Sequence, residues 1–243
     1  DLGDTRIETM RLRQLLNALT LSLMGLPSIV LAEEKPNIVI ILTDDQGYAD
    51  VSYNPHSPPE VSTPNIDALA YSSIICTQGY TSGHVCSPTR AGLMIGAYSQ
   101  RVGVFTAGDG GRGFDPEKRI FPAFLPDEYV SAAIGKWHLG LDEDYPELKW
   151  HAMSRGFDEC YKFMGRGGHS YFDLRSDSDG KFSGAIDRNK ERINDEGYLT
   201  NRLTEEAVDF IDRNKKNPFF LYLAYNAVHA PAEAPEEDIK AYQ

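Results

Sequence analysis

The sequence predicts an α/β fold built on a doubly wound, mostly parallel sheet. Three observations predict it: apolar runs of strand length that do not alternate, helical stretches set between them, and polar, titratable groups at the C-terminal end of each run. A strand covered on both faces in a parallel sheet reads as a continuous apolar run. In open sheets of this kind ligands bind in the crevice outside the carboxyl ends of the strands.

The first run, NIVIIL at 37–42, stops at TDDQGY and so delivers Asp44 and Asp45 to a strand end. TPNIDALAYSS at 63–73 follows as a helix, with Thr63 as N-cap and Pro64 at its first position. In SGHVCSPTRAGLMIG, at 82–96, Ser87 is the expected N-cap and Pro88 the first residue of a helix running through TRAGLMIGAYSQR. Cys86 then stands at a helix N-terminus, where free N–H groups and the dipole favour an anion and acidify a thiol. In FPAFLPDEYV, Pro122 and Pro126 shorten or break any helix before the next strand. The second run, YVSAAIG at 129–135, stops at KWHLG with Lys136 and His138. TEEAVDFIDRNKK at 204–216 reads as a helix, with Thr204 ahead of an acidic first turn and lysines in the last. The third run, PFFLYLAY at 218–225, stops at NAVHAP with His229. Asp44, Asp45, Lys136, His138 and His229 are therefore predicted to meet at one crevice. The stretches 107–118 and 165–197 are rich in Gly, Asp, Arg and Ser without a period, and read as long surface loops.

The chain has 243 residues, enough for a sizeable core, and a formal net charge of −12. That balance, without a basic stripe, argues against nucleic acid or an anionic membrane as partner. From Met10 the chain reads MRLRQLLNALTLSLMGLPSIVLAEE: two arginines, an apolar stretch, a breaker at Gly25–Pro27, and small residues before Glu33. This is the layout of a secretory signal peptide over 10–32, and Asn17, Pro27 and the shortness of the run weigh against a transmembrane anchor. Residues 1–9 are an upstream extension set aside from the fold, and 33–243 are expected to form one domain of an exported, periplasmic or secreted protein. Three cysteines, Cys76, Cys86 and Cys160, leave at least one unpaired. Cys86 is the expected odd one, with Cys76 and Cys160 either bridged or both free.

Cys86 does not suit the common thiol chemistries. Only three residues separate it from Arg90, closer than in a cysteine-phosphatase loop. Nothing around it matches a papain-like signature, which would also leave Asp44 and Asp45 unexplained.

CSPTRAGLMIG instead resembles the first signature of the type I sulfatases, in which the cysteine of a C-x-P-S/T-R motif is oxidised to Cα-formylglycine. AIGKWHLG at 133–140 resembles their second signature. NIVIILTDDQGYADV resembles their N-terminal metal strand, STPNIDALA the helix after it, and PFFLYLAYNAVHAP their later sulfate-binding histidine. The likeness runs from residue 36 to about 238 in the family's order. It implies an alkaline-phosphatase-like sulfatase fold and a sulfuric ester hydrolase acting on a carbohydrate or aryl sulfate. Asp44 and Asp45, with the formylglycine made from Cys86, would hold one divalent cation, usually Ca²⁺. One hydroxyl of the formylglycine diol would attack sulfur and the other would drive release of sulfate. Arg90 would hold the diol, Lys136 would contact diol and sulfate, His138 would take a proton, and His229 would hold sulfate or protonate the leaving oxygen. A formylglycine-generating or other sulfatase-maturing enzyme is the implied partner.

Asp50, His56, His84, His151 and His169 receive no such role, although His169 in GRGGHSYF is the one expected to face substrate. The family places further metal ligands and an active-site lysine after this histidine. The chain is accordingly expected to be an incomplete N-terminal catalytic portion, without appreciable turnover alone. A phosphoester or phosphonate hydrolase of the same superfamily, and an inactive truncated sulfatase-like protein, are the alternatives.

Overall fold

A computed structural model of the chain describes residues 35–140, 148–163, 168–175 and 184–242. The leader-like stretch at 10–32 and the extension before it lie outside the described residues. Six strands form one sheet: β1 (Ile38–Leu42), β2 (Val130–Lys136), β3 (Glu159–Phe163), β4 (Ile186–Arg188), β5 (Glu191–Ile193) and β6 (Phe219–Ala224). Their order is β1-β6-β2-β3-β4-β5. β1, β6, β2 and β3 run parallel, and β4 and β5 add an antiparallel hairpin. Helices α1 (Pro64–Tyr71), α2 (Cys86–Ile95), α3 (Asp109–Arg112), α4 (Leu199–Asn214) and α5 (Glu236–Lys240) complete the described elements, with short 3₁₀ turns between them.

β6 is buried along its whole length because both of its faces are covered. Phe220, Tyr222 and Ala224 point into a cluster with Ala91 and Met94 of α2, Trp137 and Phe157. Phe219, Leu221 and Leu223 point the other way, to Leu199, Leu203, Ala207 and Phe210 of α4. Those four α4 positions recur at helical spacing on one face, and burying a large side chain such as Phe210 contributes about 1.5–3 kcal/mol. The result is a sheet with a helix layer on each face, the doubly wound arrangement.

Several local expectations change. Among the described residues β1 carries a continuous apolar run but stands at the edge of the sheet beside β6, with Val39 44% and Ile41 58% exposed. α2 begins at Cys86 with Val85 as N-cap, and the Ser87 hydroxyl goes elsewhere. α1 does start at Pro64 after Thr63, yet Thr63 Oγ1 caps nothing and donates to Asp67 Oδ1 (2.9 Å) instead. α4 starts at Leu199, so Thr204 is interior and returns its hydroxyl to the Thr200 carbonyl (2.8 Å). The loop expected over 165–197 contains the β4–β5 hairpin, and α3 interrupts 107–118. Pro122 opens a 3₁₀ turn at Phe121–Phe124 in place of a longer helix. Cys76 is exposed, Cys160 is buried with its Sγ 3.3 Å from the Asn189 carbonyl, and neither is bridged.

His151 is buried beside Cys160, and its Nδ1 accepts from Met153 N–H (3.3 Å). Burial, with the Lys162 ammonium nearby, lowers its pKa to about 4. The unfolded chain therefore takes up this proton below its ordinary value of 6.5, and the folded chain only below about 4. The stabilisation is complete above that ordinary value and is lost as pH falls through this window. At pH 4.5 the loss is expected to be about 2–3 kcal/mol relative to pH 7. His151→Asn, which still offers an acceptor to Met153, should flatten the profile by that amount in denaturant titrations. An unchanged profile would assign the acid sensitivity elsewhere.

Candidate active site

β6 enters between β1 and β2, so the strand order reverses there and a crevice opens at the C-terminal ends of these three strands. Past their ends, β1 and β6 keep pairing. Tyr225 N–H donates to the Leu42 carbonyl (2.8 Å), Asp44 N–H to the Ala227 carbonyl (2.9 Å) and Val228 N–H to the Asp44 carbonyl (2.8 Å). This ties the acidic turn to the segment that carries His229. Asp45 then enters the left-handed region at φ 58°, a conformation that costs a non-glycine residue about 1 kcal/mol or more. Its Oδ2 lies 3.5 Å from His229 Nε2.

At the end of β2, a Cβ on Gly135 would run into the Ala224 carbonyl, and its φ is 99°. Only glycine lets β2 and β6 close up at this point. Lys136 follows, fully buried, and its ammonium donates to Asp44 Oδ2. Arg90 descends from α2 and brings Nη2 to 3.4 Å from Asp44 Oδ1. Its Nη1 donates to the Lys136 carbonyl (2.9 Å) and to the Tyr222 hydroxyl (3.1 Å). Two buried cations thus share one carboxylate that is 3% exposed, and the trio holds one positive charge in excess. Arg90 Nε has no hydrogen-bond partner among the described residues.

His138 also takes a left-handed φ, 55°, which turns it back over the strand end. Burial, reinforced by Lys136 and Arg90, lowers its pKa to about 3, so its ring is neutral near pH 7. Its buried Nδ1 has no partner among the described residues. The Ser87 hydroxyl is 3.2 Å from the His138 carbonyl and 3.3 Å from that of Ala107, and can donate to either. Gly110 lies so close that a Cβ there would meet both Ser87 Oγ and the imidazole. The glycine-rich segment of α3 therefore seats His138.

Cys86, half-buried at the start of α2, opens onto a cavity of about 260 Å³ lined also by Asp44, Asp45, Gln46, His84 and Arg90. Lys136, His138 and His229 are not part of its wall. The structure thus gathers Asp44, Arg90 and Lys136 in one cluster with His138 beside it, and brings Asp45 to His229.

His169, expected to face substrate, is held within the fold. It is buried, its ring nitrogens face the carbonyls of Ser170 (2.7 Å) and Gly184 (3.1 Å), and it meets the Phe163 ring edge-on. Asp50 closes the turn after β1 by accepting from Gly47 N–H (2.6 Å). Residues with no sequence signal brace the site instead. The Tyr171 hydroxyl donates to the His229 carbonyl (2.9 Å), while Glu233 Oε2 accepts from Tyr171 N–H (2.7 Å) and Ser170 Oγ (3.1 Å). The His229 Nδ1 faces the Ala230 carbonyl (2.7 Å) and so holds its proton there, leaving Nε2 toward Asp45.

The donors around the cavity are of the type a hard divalent cation takes, namely the Asp44 and Asp45 carboxylates and the Gln46 amide. Among the described residues no three His, Cys, Asp or Glu side chains converge closely enough to hold a metal, and Asp44 is engaged by Arg90 and Lys136. The donor types fit, as part of a coordination shell.

The family model described as Sulfatase matches residues 36–243. Mouse (Mus musculus) N-acetylgalactosamine-6-sulfatase is 31% identical over 244 residues, covering 90% of this chain and 44% of that protein. The crystal structure of Ps i-CgsB, 37% identical, superposes with a TM-score of 0.73 over 86% of this chain and 49% of that one. It has also been solved in complex with k-i-k-neocarrahexaose. The structure of BT4656 in complex with its substrate D-glucosamine-2-N,6-O-disulfate is 26% identical, with a TM-score of 0.65 over 81% of this chain and 35% of that one. The chain spans about half the length of the relatives it matches, or less.

Proposed function

The chain belongs to the sulfatase family, and on that premise we propose that its protein hydrolyses a sulfate monoester carried on a carbohydrate. The observation that carries this reading is the buried pair of cations, Arg90 and Lys136, sharing the single carboxylate of Asp44 beside a half-buried Cys86 and a neutral His138. Such a site has a positive charge to spare, held by groups that cannot relax into water, which is what an anionic ester and its transition state require.

In this reading Arg90 would hold the formylglycine hydrate and balance its charge, and Lys136 would contact both hydrate and sulfate. His138 is neutral at working pH and would take the proton once a bound sulfate offsets Lys136 and Arg90, which add to burial in holding its basicity down. His229, fixed by its Nδ1 bond and by Tyr171, would hold sulfate or protonate the leaving oxygen through Nε2, the latter only with both ring nitrogens protonated. Asp44, Asp45 and position 86 would hold Ca²⁺, which when bound acidifies a hydroxyl and offsets the charge on sulfate. Oxidation of Cys86 to formylglycine, by a sulfatase-maturing enzyme, would supply the two hydroxyls of an aldehyde hydrate that a thiol lacks.

The carbohydrate assignment is supported by similar proteins described with N-acetylgalactosamine-6-sulfatase activity, a neocarrahexaose and a sulfated glucosamine. Tyr48 and Phe105, exposed on loops that follow Asp45 and precede α3, suit stacking against sugar rings. The pattern at 10–32 supports an exported protein.

The test combines two measurements on the full-length protein made with a maturation system. Peptide mass spectrometry is expected to find CHO in place of CH₂SH at position 86. Sulfated oligosaccharides and 4-nitrophenyl sulfate are expected to turn over in preference to 4-nitrophenyl phosphate. An intact thiol in active protein, or a preference for the phosphate, would overturn the reading.

A further inference from the structure

We propose that Tyr222 is a positioning residue that sets the orientation of the Arg90 guanidinium, an inference that rests on the sulfate-ester reading of the site. Tyr222 lies on β6, opposite Ile40 of β1 and Ala133 of β2, where its face of the strand is otherwise apolar, with Phe220 and Ala224 as neighbours. Its side chain is 1% exposed and its ring tilts against Phe157 at 6.4 Å between centroids. A hydroxyl in such a place costs stability unless it is hydrogen-bonded, and its bond is to Arg90 Nη1 at 3.1 Å.

The geometry gives that bond a purpose beyond satisfying the phenol. A guanidinium carries five N–H donors in a rigid fork and accepts nothing. The two protons on Nη1 go to the Lys136 carbonyl at the end of β2 and to the phenolic oxygen on β6. These acceptors stand on adjacent, register-locked strands, so the fork is gripped by the sheet. With one edge held, Nη2 faces Asp44 and the buried Nε remains without a partner among the described residues. Phenylalanine at 222 would fill the same volume and leave one Nη1 proton without its acceptor. Held on that edge by the Lys136 carbonyl alone, the fork would be free to turn about this bond toward the Asp44 carboxylate, and the edge available to a substrate oxygen would change.

The experiment compares Tyr222→Phe with Phe157→Leu in the matured full-length protein. Phe157→Leu loosens the packing against the Tyr222 ring but keeps the hydroxyl. For 4-nitrophenyl sulfate, Tyr222→Phe is expected to lower kcat about 10- to 100-fold, with KM changed less than about twofold. Phe157→Leu should lower Tm without that fall in kcat. A crystal structure of Tyr222→Phe should find the guanidinium rotated about its remaining bond to the Lys136 carbonyl, with Nη2 nearer Asp44. Wild-type kcat in Tyr222→Phe, an equal fall in Phe157→Leu, or an unmoved guanidinium would each overturn the proposal. Absence of turnover in the unsubstituted protein would instead overturn the sulfate-ester reading, and the position of the guanidinium would still decide the role of Tyr222.

Discussion

Replacing Cys86 with alanine is expected to reduce sulfate-ester turnover by about 10⁴-fold or more, the scale on which removal of an enzyme's nucleophile acts. The side chain opens the helix whose fifth residue is Arg90, so helix geometry presents the two to one region. It is half-buried at the wall of the cavity that also contains Asp44 and Asp45. Alanine is compatible with the first turn of a helix, and Tm should hardly move. The remaining rate would come from Arg90, Lys136 and His138, which stay in place. Cys76, exposed and not among the residues that line this cavity, is the matched control, and Cys76→Ala should retain full turnover. Activity in Cys86→Ala above about one per cent of the unsubstituted protein would place the attacking group elsewhere.

Why these groups can be read from sequence at all is a matter of where strands stop. Asp44, Lys136 and His138 each follow an apolar run; in β2 it is a buried parallel strand, uninterrupted up to the residue where the crevice begins, while β1 carries such a run with Val39 and Ile41 exposed. The same signal does not report a strand's place in the sheet. β1 and β6 look alike as runs, yet β6 is central and β1 is an edge with Val39 and Ile41 exposed. β3 escapes notice for the opposite reason, because ECYKF contains Lys162, a charge that is buried against Asp187 (2.8 Å) and breaks the apolar pattern. The β4–β5 hairpin is six strand residues in all, too short for a period, although Asn189 at φ 57° is a turn residue of the expected kind.

Long-range pairs are the part that local reading does not reach. Tyr222 lies 132 positions from Arg90, and Glu233 lies 62 from Tyr171, so neither bond leaves a spacing to recognise. His169 misleads for a related reason. In GRGGHSYF it has the look of a residue offered to a ligand, and only the fold reveals the two carbonyls that occupy its ring nitrogens. Ser87 and Thr204, cap formers by composition, find acceptors across the fold or one turn back and leave the caps to other residues.

Asp44→Asn should have the largest effect on stability. Asparagine keeps the shape but removes the charge, leaving the Arg90 guanidinium and the Lys136 ammonium side by side in a site closed to water. Breaking a buried ion pair by removing one partner typically costs about 3–5 kcal/mol, because the remaining charge is uncompensated, and here two cations share the loss. For a chain of this size that corresponds to a fall in Tm of roughly 10 °C. The same reasoning predicts a partial rescue. An added anion bound in the cavity that Arg90 and residue 44 line can offset part of the uncompensated charge, and a ligand that binds only the folded state stabilises it as RT ln(1 + [L]/Kd). Sodium sulfate should therefore raise the Tm of Asp44→Asn more than that of the unsubstituted protein, with sodium chloride at equal ionic strength as control. Equal gains from the two salts would mean that the cations are compensated from elsewhere, and that the excess charge assigned to this cluster is not available to an anionic substrate.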